Sequence, residues 1–231
     1  MPRETFDQEL QRLQDEILIL GSMVEQAIIE SVETLQERDQ EAARRLIAGD
    51  RVINDKRFAI EADALTLIAT QQPLASDLRT IATVLEIATE LERMGDYAKG
   101  IAKINLMLGE EPSLKPFTHI PRMGEKVQDM LRRALEAFAR RDANLARAIP
   151  AADEEIDELH NQIYRELLTL TMADKGTVDQ ATQLLWVAHN LERVADRAVN
   201  ICERVVFTVT GEMLEMDVEN GWPDSGMAGV T

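Results

Sequence analysis

Cysteine, aromatic residues and long apolar runs are all scarce in this chain, and each scarcity closes off a class of protein. Cys202 is the sole cysteine among 231 residues, so no intrachain disulfide can form and a zinc site built on several thiolates is excluded. Phe, Trp and Tyr make up 4% of the residues, with seven Pro and eleven Gly; this composition points to helices rather than sheet. No stretch approaches the ~20 apolar residues of a membrane span. The N-terminus has no apolar run behind a basic segment, so a signal peptide is not expected. Basic residues are also in the minority: 25 Lys and Arg stand against 42 Asp and Glu, a formal net charge of −17. That balance argues against nucleic acid as a partner and suits cations or basic partners. A cytoplasmic protein without membrane insertion is the expectation.

Hydrophobic residues reach 45%, enough for a core, and they recur at helical spacing. Phe6, Leu10, Leu13, Ile17, Leu20, Val24, Ile28 and Leu35 define a first helix over about 4–38, by steps of three, four or seven. Asp39 is placed to cap a second helix over about 40–70, which Gly49 is expected to bend and Pro73 to end. A third helix spans about 76–108. Gly109 to Pro121 carries Pro112 and Pro116 between them and reads as a linker. The pattern then repeats as helices over about 122–140, 143–173 and 177–211. Arg38-Asp39 recurs as Arg141-Asp142, and Asp50, Ile53 and Ile60 recur as Asp153, Ile156 and Ile163. The expected fold is all-α: a tandem repeat of two antiparallel three-helix bundles, over 4–108 and 122–211, with a linker at 109–121. The tail, 212–231, has little periodicity and is expected to be loose.

One motif occurs in both halves. Leu91-Glu92-Arg93-Met94-Gly95-Asp96 is echoed 100 residues later by Leu191-Glu192-Arg193-Val194-Ala195-Asp196. Each copy sets a Glu and an Asp four apart, on one face of a helix, where like charges repel. Val84, Ile87, Leu91, Met94, Ala98 and Ile101 form the core seam of the third helix, and Leu184, Val187, Leu191, Val194, Ala198 and Ile201 that of the last. The acids fall opposite these seams, beside Leu78, Ile81 and Leu85. Those apolar residues suit docking by another protein or a second copy of the chain, and a homodimer is expected. The middle helices add Asp50 with Asn54, and Asp153 with Asp157. Four oxygen-bearing side chains per half can converge in this way on a hard or borderline cation such as Mg, Mn, Fe or Zn. The competing reading is a solvated acidic stripe paired with Arg93 or Arg193.

Other features carry less. His160 follows Asp157 by three and His189 precedes Glu192 by three, a spacing seen in di-iron bundles. The duplicate positions are Arg57 and Thr89, so histidine is not part of the repeated design. A di-iron enzyme and a purely structural acidic bundle stand as alternatives to a binding protein. Cys202, beside core Ile201, reads as a small buried hydrophobe. No Gly-rich phosphate loop and no Ser/His/Asp arrangement is visible.

At these residues the chain resembles the PhoU family, regulators of bacterial phosphate uptake. Gln72-Pro73-Leu74-Ala75-Ser76-Asp77-Leu78-Arg79 looks like the family's signature at the start of its third helix. The two Glu/Asp stretches look like its paired E(D)xxxD motifs, the second extended by Asn200-Ile201. The resemblance covers about 4–211. It implies a non-enzymatic negative regulator of phosphate uptake and phosphate-starvation signalling. It also implies partners in the transporter's ATPase and a membrane sensor histidine kinase, and metal ions, in multinuclear clusters in some members, on the E(D)xxxD faces. By match the ligands are Glu92, Asp96, Glu192 and Asp196, with Asp153 and Asp157 next, then Asp50. Asn54 is a weaker, neutral donor, which puts the first-half site in more doubt. Where the family often has His after the motif's Asp, this chain has Tyr97 and Arg197. Arg197 is expected to lower metal affinity at the second site or to hold an anion.

Overall fold

The computed structural model describes residues 3–109 and 119–216. Among the described residues there are seven α-helices and no strand: α1 (Arg3–Glu37), α2 (Gln40–Gln71), α3 (Ala75–Leu108), α4 (His119–Arg140), α5 (Ala143–Ala148), α6 (Asp153–Ala173) and α7 (Val178–Thr210). Six are long, as the periodicity indicates. The helix expected over 143–173 is interrupted instead, by a 3-10 turn at Pro150–Ala152. Pro150 has no N–H to donate and its ring crowds the preceding turn. The break makes Asp153, Glu154 and Glu155 the first turn of α6, where acidic side chains meet the positive end of the helix dipole. α2 runs without interruption through Gly49. Ile120 and Pro121 belong to the first turn of α4 rather than to a linker, a place where Pro sacrifices no hydrogen bond. The rest of the expected linker, 110–118, lies outside the described residues.

The duplication is written into the backbone. Arg38 and Arg141 adopt left-handed φ values of 57° and 51°, 103 positions apart. Each is followed by a capping aspartate. Asp39 accepts from the backbone N–H of Ala42 at 2.8 Å, and Asp142 from those of Asn144 and Leu145 at 2.9 and 3.0 Å, meeting donors a helix start leaves without partners.

Every residue assigned to the two seams, from Val84 to Ile101 and from Leu184 to Ile201, is at most 1% exposed. The nearly inaccessible residues of both halves join in one main apolar cluster. The halves meet chiefly where α3 runs antiparallel to α7. Thr208 Oγ1 lies 2.7 Å from Thr83 Oγ1, Arg204 Nε lies 2.7 Å from Glu86, and Arg197 and Asn200 both donate to Glu90. Because α1, α2 and α7 all pack on α3, its apolar arc is wider than one seam. Ile81, expected on an open docking side, is 0% exposed inside the core, whereas Leu78 is 44% exposed. The amide of buried Asn105 donates to the carbonyls of Thr34 and Asp39, tying the α1–α2 corner to the end of α3. At the start of the tail expected to be loose, Leu214 and Met216 pack against the core and the Met216 N–H donates to Glu203 at 2.7 Å, while Glu212, Met213 and Glu215 are exposed. The remainder of the tail, 217–231, lies outside the described residues.

Candidate cation-binding faces

In the first half, α3 approaches α2 closely at Gly95. A Cβ there would lie 3.2 Å from Ile53 Cδ1 and 4.0 Å from Asp50 Oδ1. The approach brings Asp50 and Asn54 of α2 beside Glu92 and Asp96 of α3. Asp50 is only 6% exposed, far more buried than an outer acidic stripe would be. Its Oδ2 accepts from Lys99 Nζ at 2.7 Å and from Asn54 Nδ2 at 3.0 Å, while Oδ1 is buried without a hydrogen-bond partner. Lys99 also reaches Asp96 Oδ1 at 3.2 Å. An ammonium group, one turn along α3 from the motif, thus stands among the carboxylates where spacing suggested a metal.

The electrostatics agree with this crowding. Burial, then the neighbouring Asp96 carboxylate, push the Glu92 carboxyl above its ordinary pKa, with Arg57 pulling the other way and Asp50 adding to the rise. The hydrogen bond to Asp50 raises Lys99 above the usual lysine value, against its own burial and with help from Asp96. Lys99 was missed in the sequence because it lies outside the repeated motif. Its counterpart 100 residues on is Val199, 2% exposed among apolar neighbours.

The second half is built differently. Asp153 and Asp157 on α6 and Glu192 and Asp196 on α7 are all partly buried, on helices that pack together. Among the described residues, the three metal-type ligand groups whose donor atoms lie within 4.8 Å of one another are His160, His189 and Glu192. His189 Nδ1 is 3.0 Å and His160 Nε2 3.8 Å from Glu192 Oε2. The rings of Trp186 and His189 pack in a T shape, with centroids 5.8 Å apart. The i, i+3 spacing of His189 and Glu192 was legible; the arrival of His160 from α6 was not, since it depends on how α6 restarts after Pro150. Arg197 does not stand free beside this face. It reaches α3 and lies 3.3 Å from Glu90 Oε2, at the join between the halves, and its charge also acts on Asp196 of this face.

The fold and these faces define a class first: a tandem three-helix-bundle protein with one Glu/Asp-bearing face per half. The PhoU domain model matches the chain twice, over residues 17–104 and 120–205, one match per repeat. The chain belongs to the PhoU family. It is 38% identical over 218 residues to the phosphate-specific transport system accessory protein PhoU homolog of Clostridium acetobutylicum, covering 94% of this chain and all of that one. The homolog of the same description from Caulobacter vibrioides is 40% identical over 212 residues, 91% of this chain and 92% of that protein. Two crystal structures superpose well. The phosphate transport system regulatory protein PhoU from Streptococcus pneumoniae gives a TM-score of 0.84 at 35% identity, covering 90% of this chain and 99% of that one. PhoU from Pseudomonas aeruginosa gives 0.85 at 33%, covering 90% and 100%.

Proposed function

We propose that this chain is a non-enzymatic, cytoplasmic negative regulator of phosphate uptake and phosphate-starvation signalling. It acts by docking onto the phosphate transporter's ATPase and a membrane sensor kinase. The observation that carries the reading is the match of both repeats, along 94% of the chain in one case, to proteins named as accessory components of phosphate-specific transport. No helix among the described residues is long and apolar enough to cross a membrane. Leu65, Leu74 and Leu78, at 54%, 68% and 44% exposure, supply apolar area of the kind interfaces use, toward a partner or a second copy in a homodimer.

Cation binding at the acidic faces belongs to the same reading. Glu192, Asp196, Asp153 and Asp157 are the second-half set, and Glu92, Asp96, Asp50 and Asn54 the first-half set, where Lys99 competes with a metal for the same oxygens.

The test is a pull-down from purified components: the full chain as bait, with the transporter ATPase or the detergent-solubilised sensor kinase of the same organism as prey. Retention of the ATPase, weakened by Leu78→Arg, is expected. Failure to retain either prey, with and without added Zn2+ and phosphate, would remove the docking reading.

A further inference from the structure

The two halves share ancestry and backbone, yet they differ at the positions that surround the acids. In the first half, the residues around Asp50, Glu92 and Asp96 are cationic: Lys99 bridges Asp50 and Asp96, and the charge of Arg57 acts on Glu92. In the second half, the position equivalent to Lys99 is Val199, that of Arg57 is His160, and that of Thr89 is His189. Two fixed positive charges have been exchanged for an apolar residue and an imidazole, and a second imidazole has been added; Arg197, in the place of Tyr97, is a cation gained there, and it pairs with Glu90 on α3 while also acting on Asp196. A neutral imidazole is a ligand for zinc, copper, iron or nickel; an ammonium is a competitor for the same carboxylates.

Resting on the reading that a metal cation binds at the acidic faces, and narrowing it to one of the two, we propose that the faces have diverged. The first half carries Lys99 as its resident cation and takes no metal. The second half takes a single borderline divalent cation of the zinc type on His160 Nε2, His189 Nδ1 and Glu192 Oε2. The spacing fits. A tetrahedral zinc ion with bonds of about 2.0–2.2 Å holds its ligand atoms roughly 3.3 Å apart, and Glu192 Oε2 lies 3.0 and 3.8 Å from the two histidine nitrogens. The ligands come from α6 and α7, so an ion would link the two helices.

The experiment uses the full chain, stripped with chelator and dialysed. Zn2+ binding is measured by calorimetry, and Co2+ is added separately to read tetrahedral coordination by visible absorption. One tight Zn2+ per chain is expected, with nitrogen-ligated tetrahedral Co2+ absorption. His160→Ala and His189→Ala should each weaken binding by ~100-fold or more, since loss of even outer-sphere partners costs 10–100-fold. Lys99→Met should add a second, weaker equivalent that Asp50→Asn then removes; if Lys99→Met is unfolded by circular dichroism, the wild-type stoichiometry decides the first-half claim. Two tight ions in wild type, or histidine variants with wild-type affinity, would overturn the proposal. Binding that ignores the histidines but disappears in Asp157→Asn with Asp196→Asn would overturn it while leaving cation binding at the acidic faces standing. No binding of Zn2+, Mn2+, Fe2+ or Mg2+ by any variant would remove both.

Discussion

Lys99 on α3 places its ammonium nitrogen 2.7 Å from Asp50 Oδ2 on α2, inside a cluster of acids that the helix spacing alone presents as a metal site. The contact accounts for how Asp50 is tolerated at 6% exposure. A buried carboxylate is costly unless it is paired and hydrogen-bonded, and here Lys99 and Asn54 do both.

Lys99→Met should therefore destabilise the metal-free protein by about 1.5–3 kcal/mol, the range for hydrogen bonds to charged groups. Adding Asp50→Asn should recover part of the loss, because the orphaned charge goes with it. Urea denaturation of the two single variants and the double variant measures this. Strictly additive losses would mean that the two groups do not act on each other.

Glu92 gives a pH signature. Its pKa is raised in the folded state, by burial and by Asp96, so the folded protein disfavours its ionised form. The sign follows from linkage: this group costs nothing well below the ordinary glutamate value. Stability is lost as pH rises from there through the folded value, and the cost persists at neutral pH. Metal-free Glu92→Gln should match wild type in melting temperature near pH 4 and exceed it at pH 7–8. A gap that closes as pH rises would contradict the assigned direction.

The overall plan was legible in the sequence because both of its signals are periodic. The seams of α3 and α7 announce themselves at steps of three and four, and Arg38-Asp39 and Arg141-Asp142 mark the same corner twice. Three features resisted reading, each for want of tertiary information. Pro150 was visible, but its cut through the helix over 143–173 was not inferred, and that cut shapes the start of α6. Ile81 reads as available for docking if one seam is the whole buried face of α3, whereas α1, α2 and α7 all cover that helix. Lys99 and Arg197 both sit near the acid motif in sequence, yet one points into a cluster of acids and the other away to Glu90. Helical spacing places a side chain on a face; it does not say which neighbour the far end of a long side chain will find.

The join between the halves supplies a third prediction. Arg197 and Glu90 are 17% and 14% exposed at their side chains, and Asn200 also donates to Glu90 at 3.2 Å. Arg197→Ala should cost about 1.5–3 kcal/mol, and Glu90→Gln on that background should cost much less than it does alone. Thermal unfolding of the three variants checks it; full additivity would show that the pair does not couple α3 to α7.

Cys202 is 0% exposed, and burial pushes its thiol up to about 12. With so little thiolate near neutral pH, the native protein should resist a disulfide-exchange reagent at pH 8. It should react with one equivalent once unfolded in urea. Rapid stoichiometric labelling of the native chain would place Cys202 at the surface and contradict the packing of α7.

The regulatory role is tested most directly in the cell that encodes the chain. A deletion strain is grown in phosphate-rich medium, alone or complemented with wild type or with Leu78→Arg, and phosphate-starvation gene expression is measured. The account predicts derepression in the deletion, full repression with wild type and partial repression with the docking variant. Expression that stays repressed in the deletion, at the wild-type level, would contradict it.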